Sequence, residues 1–254
     1  MPAGDTCCHI VSILLAGTAI IFGSVALGGT EPNELSWSVA KLEVSDDAGV
    51  PADCKYKYLF GLVALQRELQ SCGGETSSKD ERYSNTDECK ALLGQGSTVL
   101  CNTCRDTGAA IATIETVMMM LGIFAGITIV FRMCDQNKED PLKHFIVTLL
   151  LTGVTIGLFV AWVLWLSTCH QEIRIHIMNI QNTQVLDGPA LGDAKAVGVS
   201  SGFSLALVSM FFALFATFNE YRIALYGMDA PAQAKKEDVE IGEHKNKEER
   251  KVSI

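Results

Sequence analysis

The chain has 254 residues, 48% apolar and 19% charged, and carries a net charge of −9 from 20 Lys+Arg against 29 Asp+Glu. Its mean hydropathy of +0.25 is high for a soluble domain, because the apolar residues fall in four long runs separated by acidic and Gly/Ser-rich stretches. A negative chain with no long basic block argues against nucleic-acid binding, and the clustering argues against a simple soluble enzyme.

Residues 10–28 form the first run long enough to cross a bilayer core, which takes about 20 apolar residues as a helix. Residues 1–9 hold no Lys or Arg, and the run outlasts the apolar region of a signal peptide. We therefore expect a helix kept in the mature protein rather than a cleaved leader.

Residues 29–108 make a long polar segment. Residues 36–44 alternate well, and residues 55–63 are rich in aromatic and β-branched side chains, so both are expected as strands. Residues 73–88 are mostly Gly, Ser, Thr and charged residues without an apolar face, which predicts a solvated excursion. Cys72 and Cys89 bracket that excursion, and a bond between them would close it. Cys101 and Cys104 form a Cys-x-x-Cys that resembles a zinc half-site, with Cys169, His170 and His176 as further donors. It lacks a second Cys-x-x-Cys, and outside a cell thiols usually oxidise before they ligate, so disulfides are the expected state and no metal centre is assigned.

The remaining runs are residues 109–131, 145–167 and 196–218. A core helix of a globular protein normally shows a charged face, and these carry almost no charge. The exception is Glu115, about two turns into the second helix. An intramembrane carboxylate is a candidate ion or proton site. With no Lys, Arg or His at its depth, the expected role is plainer: a carboxylate near the outer helix end, capped by Thr hydroxyls or reached by water. Asp106-Thr107 and Asp140-Pro141 have the form of helix starts. Small residues recur at four-residue spacing in Ala19/Gly23, Gly122/Gly126, Gly153/Gly157 and Gly198/Gly202, a pattern that lets helices approach closely in lipid.

Residues 132–144 hold Arg132, Lys138 and Lys143, whereas the longer segment 168–195 holds only Arg174 and Lys195. The positive-inside rule places 132–144, the N-terminus (1–9) and the tail (219–254) in the cytosol, and residues 29–108 and 168–195 outside. The nine cysteines divide accordingly. Cys54, Cys72, Cys89, Cys101, Cys104 and Cys169 fall outside, an even set that suits three disulfides with 15 conceivable connectivities. Cys7, Cys8 and Cys134 fall at the cytosolic boundary, where reversible palmitoylation occurs. The tail mixes charges without aromatics from Ala234 onward, which suits a solvated segment, and it ends in Val252-Ser253-Ile254, the form of a PDZ-type ligand.

This is the pattern of a mainly α membrane protein, a four-transmembrane-helix bundle with a small disulfide-bonded extracellular β-containing domain. It resembles the claudin-like four-span proteins, and within them the amastin surface proteins of kinetoplastid parasites. Cys54-Lys-Tyr-Lys-Tyr-Leu59-Phe60-Gly61 followed by Cys72 resembles the amastin signature, although with longer spacings and three further outer cysteines. Trp37 stands where the claudin-like fold places a tryptophan in its first extracellular strand. Gly198 to Gly202-Phe203 resembles the opening of the family's last helix. The resemblance implies a left-handed bundle, a small extracellular sheet and a plasma-membrane role without catalysis or cofactor. The expected partners are the lipid bilayer and other membrane or cell-surface proteins, a second copy included, with the outer domain as the working part. The alternative is a pore-forming or accessory subunit of a channel or transporter. The Tyr56-Tyr58-Phe60 stretch is either a recognition surface or the outer domain's own core, and for Trp37 the core is the expectation.

Overall fold

The computed structural model describes residues 3–30, 35–44, 55–72, 75–94, 96–134, 141–182 and 191–225. Helix α1 (Ala3–Leu27) leads through a short 3-10 turn to strands β1 (Ser38–Val44), β2 (Lys55–Phe60), β3 (Ala64–Cys72) and β4 (Glu75–Arg82). Helices α2 (Thr86–Leu93), α3 (Thr98–Cys134) and α4 (Pro141–Trp165) follow, and α4 passes through a π-helical turn at 166–170 into α5 (Gln171–Asn182). Strand β5 (Leu191–Val199) and helix α6 (Ser201–Leu225) complete the described chain.

Four helical stretches are long and apolar enough to cross a membrane: His9–Leu27, Thr98–Arg132, Phe145–Asn179 and Ser201–Leu225. Large apolar side chains point outward on all of them, among them Leu14, Ile21, Phe124, Leu149 and Phe215. In water such a belt would be an aggregation surface, and lipid is the solvent that suits it. The chain is a multi-pass membrane protein.

The four helices pack as a ring in which neighbours run antiparallel. A Ser24–Met119 contact of 3.2 Å joins α1 to α3, and Thr155 and Thr217, with hydroxyls 3.2 Å apart, join α4 to α6. Ser209 closes the ring by donating to the Ala19 carbonyl at 2.7 Å. The small residues serve this packing unevenly. A Cβ on Gly23 would stand 3.2 Å from Ser209 Oγ, and one on Gly122 would stand 3.3 Å from Ile20. One on Gly157 would run into Met118, whereas Gly126 and Gly153 face open space. Gly198 lies in a strand, and Gly202 packs against the Leu35 carbonyl, so that pair does not join helices.

The strands form one antiparallel sheet in the order β4-β3-β2-β1-β5. Ser38 sits between Phe60 on β2 and Val199 on β5, so both long connections of the chain contribute to a single sheet. The expected strands at 36–44 and 55–63 are present as β1 and β2. The expected excursion at 73–88 is instead β4 and the start of α2; Ser77, Ser78, Lys79 and Asp80 are exposed, which is why the stretch reads as solvated. Helix α3 begins at Thr98 rather than near 109, because Leu100, Cys101, Cys104, Gly108 and Ile111 make a buried stripe at helical spacing beneath the sheet. Asp106 is therefore mid-helix, ion-paired with Arg105 at 2.9 Å, and caps nothing. At 37 residues α3 is about 55 Å long, well beyond a bilayer core. Pro141 opens α4 as expected, while Asp140 and Lys138 lie outside the described residues.

Candidate functional site

The sheet is seated on the bundle through Trp37, which is completely buried. Its ring meets Trp165 edge-on at 5.5 Å and Phe203 at 6.1 Å, and Phe203 in turn lies 5.7 Å from Trp162. The indole N–H of Trp37 donates to the Ala26 carbonyl at 3.2 Å. One residue on, Ser38 Oγ accepts from Trp165 Nε1 at 2.9 Å and lies 2.9 Å from His170 Nδ1. One strand end thus touches α1, α4, the π turn and α6. The β2–β3 hairpin makes a second seat: the Leu62 N–H bonds to the Gly29 carbonyl at 3.1 Å, and Gly108 lies so close to the Leu62 carbonyl that a Cβ there would overlap it.

Two disulfides bind this region together. Cys89 of α2 pairs with Cys101 of α3, and Cys104 pairs with Cys169 in the π turn. This corrects the expected Cys72–Cys89 closure, and the two sulfurs of the Cys-x-x-Cys go to different partners instead of a shared zinc. His170 bonds Ser38, and His176 Nε2 lies 3.3 Å from the Leu93 carbonyl. Cys54 lies outside the described residues; Cys72 ends β3, Cys7 and Cys8 fall within the first turns of α1, and Cys134 is the last residue of α3. The two N-terminal cysteines are therefore helical rather than in a segment preceding the helix.

The signature residues are interior. Leu59, Phe60 and Gly61 are buried, and the Gly61 carbonyl accepts the Tyr83 hydroxyl at 3.2 Å. Tyr56, Tyr58 and Phe60 line one side of β2 with successive rings 6.5 and 6.4 Å apart, and Arg67 of β3 lies 5.6 Å from the Tyr56 ring. Burial lifts the Tyr58 phenol above its ordinary range against the opposing pull of Arg67. Of the three rings only Tyr56 is half-exposed, so most of the stretch is core. Among the described residues, the longest exposed run of this domain is the polar stretch Ser77 to Asp80 of β4.

At the far end of the bundle lies a buried polar cluster not anticipated from sequence. Arg132 Nη1 donates to Glu220 Oε2 at 3.0 Å, Arg132 Nη2 lies 3.5 Å from His9 Nε2, and His9 Nδ1 lies 3.5 Å from Glu220 Oε1. All three residues are buried, and Asn219 donates to Ser12 beside them at 2.8 Å. The cluster ties α1, α3 and α6 together. Arg132 stands out in sequence only as part of a basic loop.

Glu115 is 1% exposed, and neither carboxylate oxygen has a hydrogen-bond partner among the described residues. The expected Thr caps are engaged elsewhere: Thr113 bonds the Ala109 carbonyl and Thr116 the Ala112 carbonyl. A turn further from the sheet, the four helices leave a cavity of about 20 Å³ lined by Ala16, Ile20, Gly122, Val154 and Ser209. A space of that size holds about one water.

Comparison with known proteins finds no matching family model and no matching curated protein. The class the fold defines is a multi-pass membrane protein, with four candidate spanning helices, a five-stranded antiparallel sheet and two disulfides among the described residues.

Proposed function

We propose that this chain is a structural and interaction protein of the plasma membrane, with both termini in the cytosol and the sheet outside, where it presents one rigid platform to partner proteins. The observation that carries this reading is the β1–β5 pairing, which fuses the two outer connections into one sheet. Separate loops would have to be ordered on binding, and a preformed sheet avoids most of that entropic cost. Arg132 and Lys143, near the end away from the sheet, support the orientation, as does Lys138 between them in sequence. The disulfides at the sheet end support it independently, because such bonds persist in oxidising compartments. A small sheet carried on a four-helix bundle is what the claudin-like resemblance implies. The Cys54 to Gly61 stretch, with Cys72, favours the amastin-like branch.

The test is a pull-down and a surface-expression assay on the same three variants. Cys54→Ser and Cys72→Ser should lose partner association while still inserting, and Glu115→Gln should retain it. Binding by both cysteine variants together with a dead Glu115→Gln would put the channel or transporter reading ahead.

A further inference from the structure

We propose that Glu115 is an occluded proton-binding site, held in the bundle as the neutral carboxylic acid. The argument begins with its neighbours. Gly157 packs against Met118, and Gly23 and Ser209 meet beside Met119. One turn toward the sheet, α1, α4 and α6 place Ala26, Ala161 and Ala206 at the level of Glu115, and all three are buried. Small apolar side chains from three helices therefore stand at the level of Glu115, the one buried acid of α3.

Among the described residues of these helices no titratable group stands at its level. Helix α1 has none between His9 and Leu27, and α6 has none between Ser201 and Glu220. Helix α4 and the π turn have none between His144 and His170 except Cys169, which is disulfide-bonded. On α3 itself the nearest charges are Asp106 and Arg105, over two turns away and paired with each other. An unpaired ionised carboxylate in such a place costs several kcal/mol or more, so the group must be neutralised.

Two neutralising species are available in a cell, a metal cation or a proton. A hard cation takes six or more oxygen ligands. Thr113 and Thr116 are exposed on other faces of α3, and the Ser209 hydroxyl lies a turn away beside Met119 and the Ala19 carbonyl, so the described side chains at this level offer such an ion only the two oxygens of Glu115. The indole N–H of Trp162, beside Ala161, is buried and without a partner, but a donor repels a cation. The proton is the ligand that fits. Above the site, Ile111, Trp37, Trp165 and Phe203 close off the sheet end. Separating the helices at this level would hydrate the carboxyl and release its proton, so bundle opening and proton release are one event.

Infrared difference spectroscopy at neutral pH tests this on the full chain in lipid nanodiscs, with wild type measured against Glu115→Gln. The expected result is loss of one protonated-carboxyl carbonyl band with the carboxylate bands unchanged. Glu115→Asp, which keeps the acid, should show that band at a shifted position and guards against a Gln variant that fails to fold. Loss of a carboxylate band in Glu115→Gln, or an aspartate variant with only an added carboxylate band, would overturn the proposal.

Discussion

At the sheet end, Trp37, Trp165 and Phe203 join the strands to α1, α4 and α6, Leu62 seats them on α3 at Gly108, and two disulfides tie α3 to α2 and the π turn, whereas at the far end Arg132, Glu220 and His9 join only α1, α3 and α6. The first closure is broad and apolar, and its strength rises with buried area. The second is small and polar, and its members must all be present for any of them to be tolerated in burial. An aromatic seat holds a whole domain in place, while an ion-pair clasp selects one rotation of three helices. The difference fits a division of labour in which the sheet end meets partners and the far end keeps the bundle in register.

The largest expected effect is at the aromatic seat. Trp37→Ala should cost about 3–5 kcal/mol, the range for removing a large buried aromatic ring. Hydrogen exchange should quicken along β1 and β5 and remain slow near Arg132. Exchange that quickened uniformly would mean the two ends are not separable.

A comparable cost awaits the clasp, with a distinguishing signature. Arg132→Met strands Glu220 in burial and should cost about 3–5 kcal/mol, and adding Glu220→Leu should recover most of it. Thermal melting of the two variants in the same lipid reads this directly. A double variant as unstable as the single one would show that the pair contributes net stability, beyond choosing an arrangement.

The disulfides come next. Cys89→Ser should cost about 2–4 kcal/mol and loosen α2. Cys104–Cys169 closes a longer loop, but membrane insertion already holds α3 and α4 together, so the chain-entropy gain expected from its length is smaller than in a soluble protein. Non-reducing peptide mapping should recover both bonds and a third between Cys54 and Cys72. Those are the two outer cysteines left over, and their chain neighbourhood is the β2–β3 pair that matches Lys55 with Gln70.

The smallest contrast lies within one helix. Gly157→Ala should cost about 1–3 kcal/mol because its methyl group meets Met118. Gly153→Ala, facing open space, should stabilise by about 0.5–1 kcal/mol through helix propensity. Equal melting temperatures for the two would contradict the packing of α3 against α4.

Much of this architecture is legible in the sequence, and the rest is hidden for physical reasons. Membrane helices announce themselves because lipid demands an unbroken apolar surface, so all four spans were readable. Strand β1 was readable because it buries Ser38, Ala40 and Leu42 at alternate positions, and β2 because it concentrates aromatic side chains. Strand β4 was not, since Ser77 to Asp80 are exposed along it and a polar edge strand carries no alternation. Strand β5 was merged into the last helix because Ala196, Val197 and Val199 continue its apolar run. Cysteine pairing is undetermined by spacing alone. The clasp joins residues 88 and 123 positions apart, a relation that only the folded bundle reveals. Glu115 was visible as an anomaly, but its lack of any cap was not.

Partner capture by cross-linking on intact cells, at matched surface expression, is the most direct measurement of the division between the two ends. The variants are Trp37→Ala, which unseats the sheet, and the Arg132→Met/Glu220→Leu pair, which replaces the clasp by apolar side chains. The account predicts that cross-linked partners are lost from the first and retained by the second. Partners retained by Trp37→Ala and lost from the clasp variant would place the working surface at the far end and contradict it.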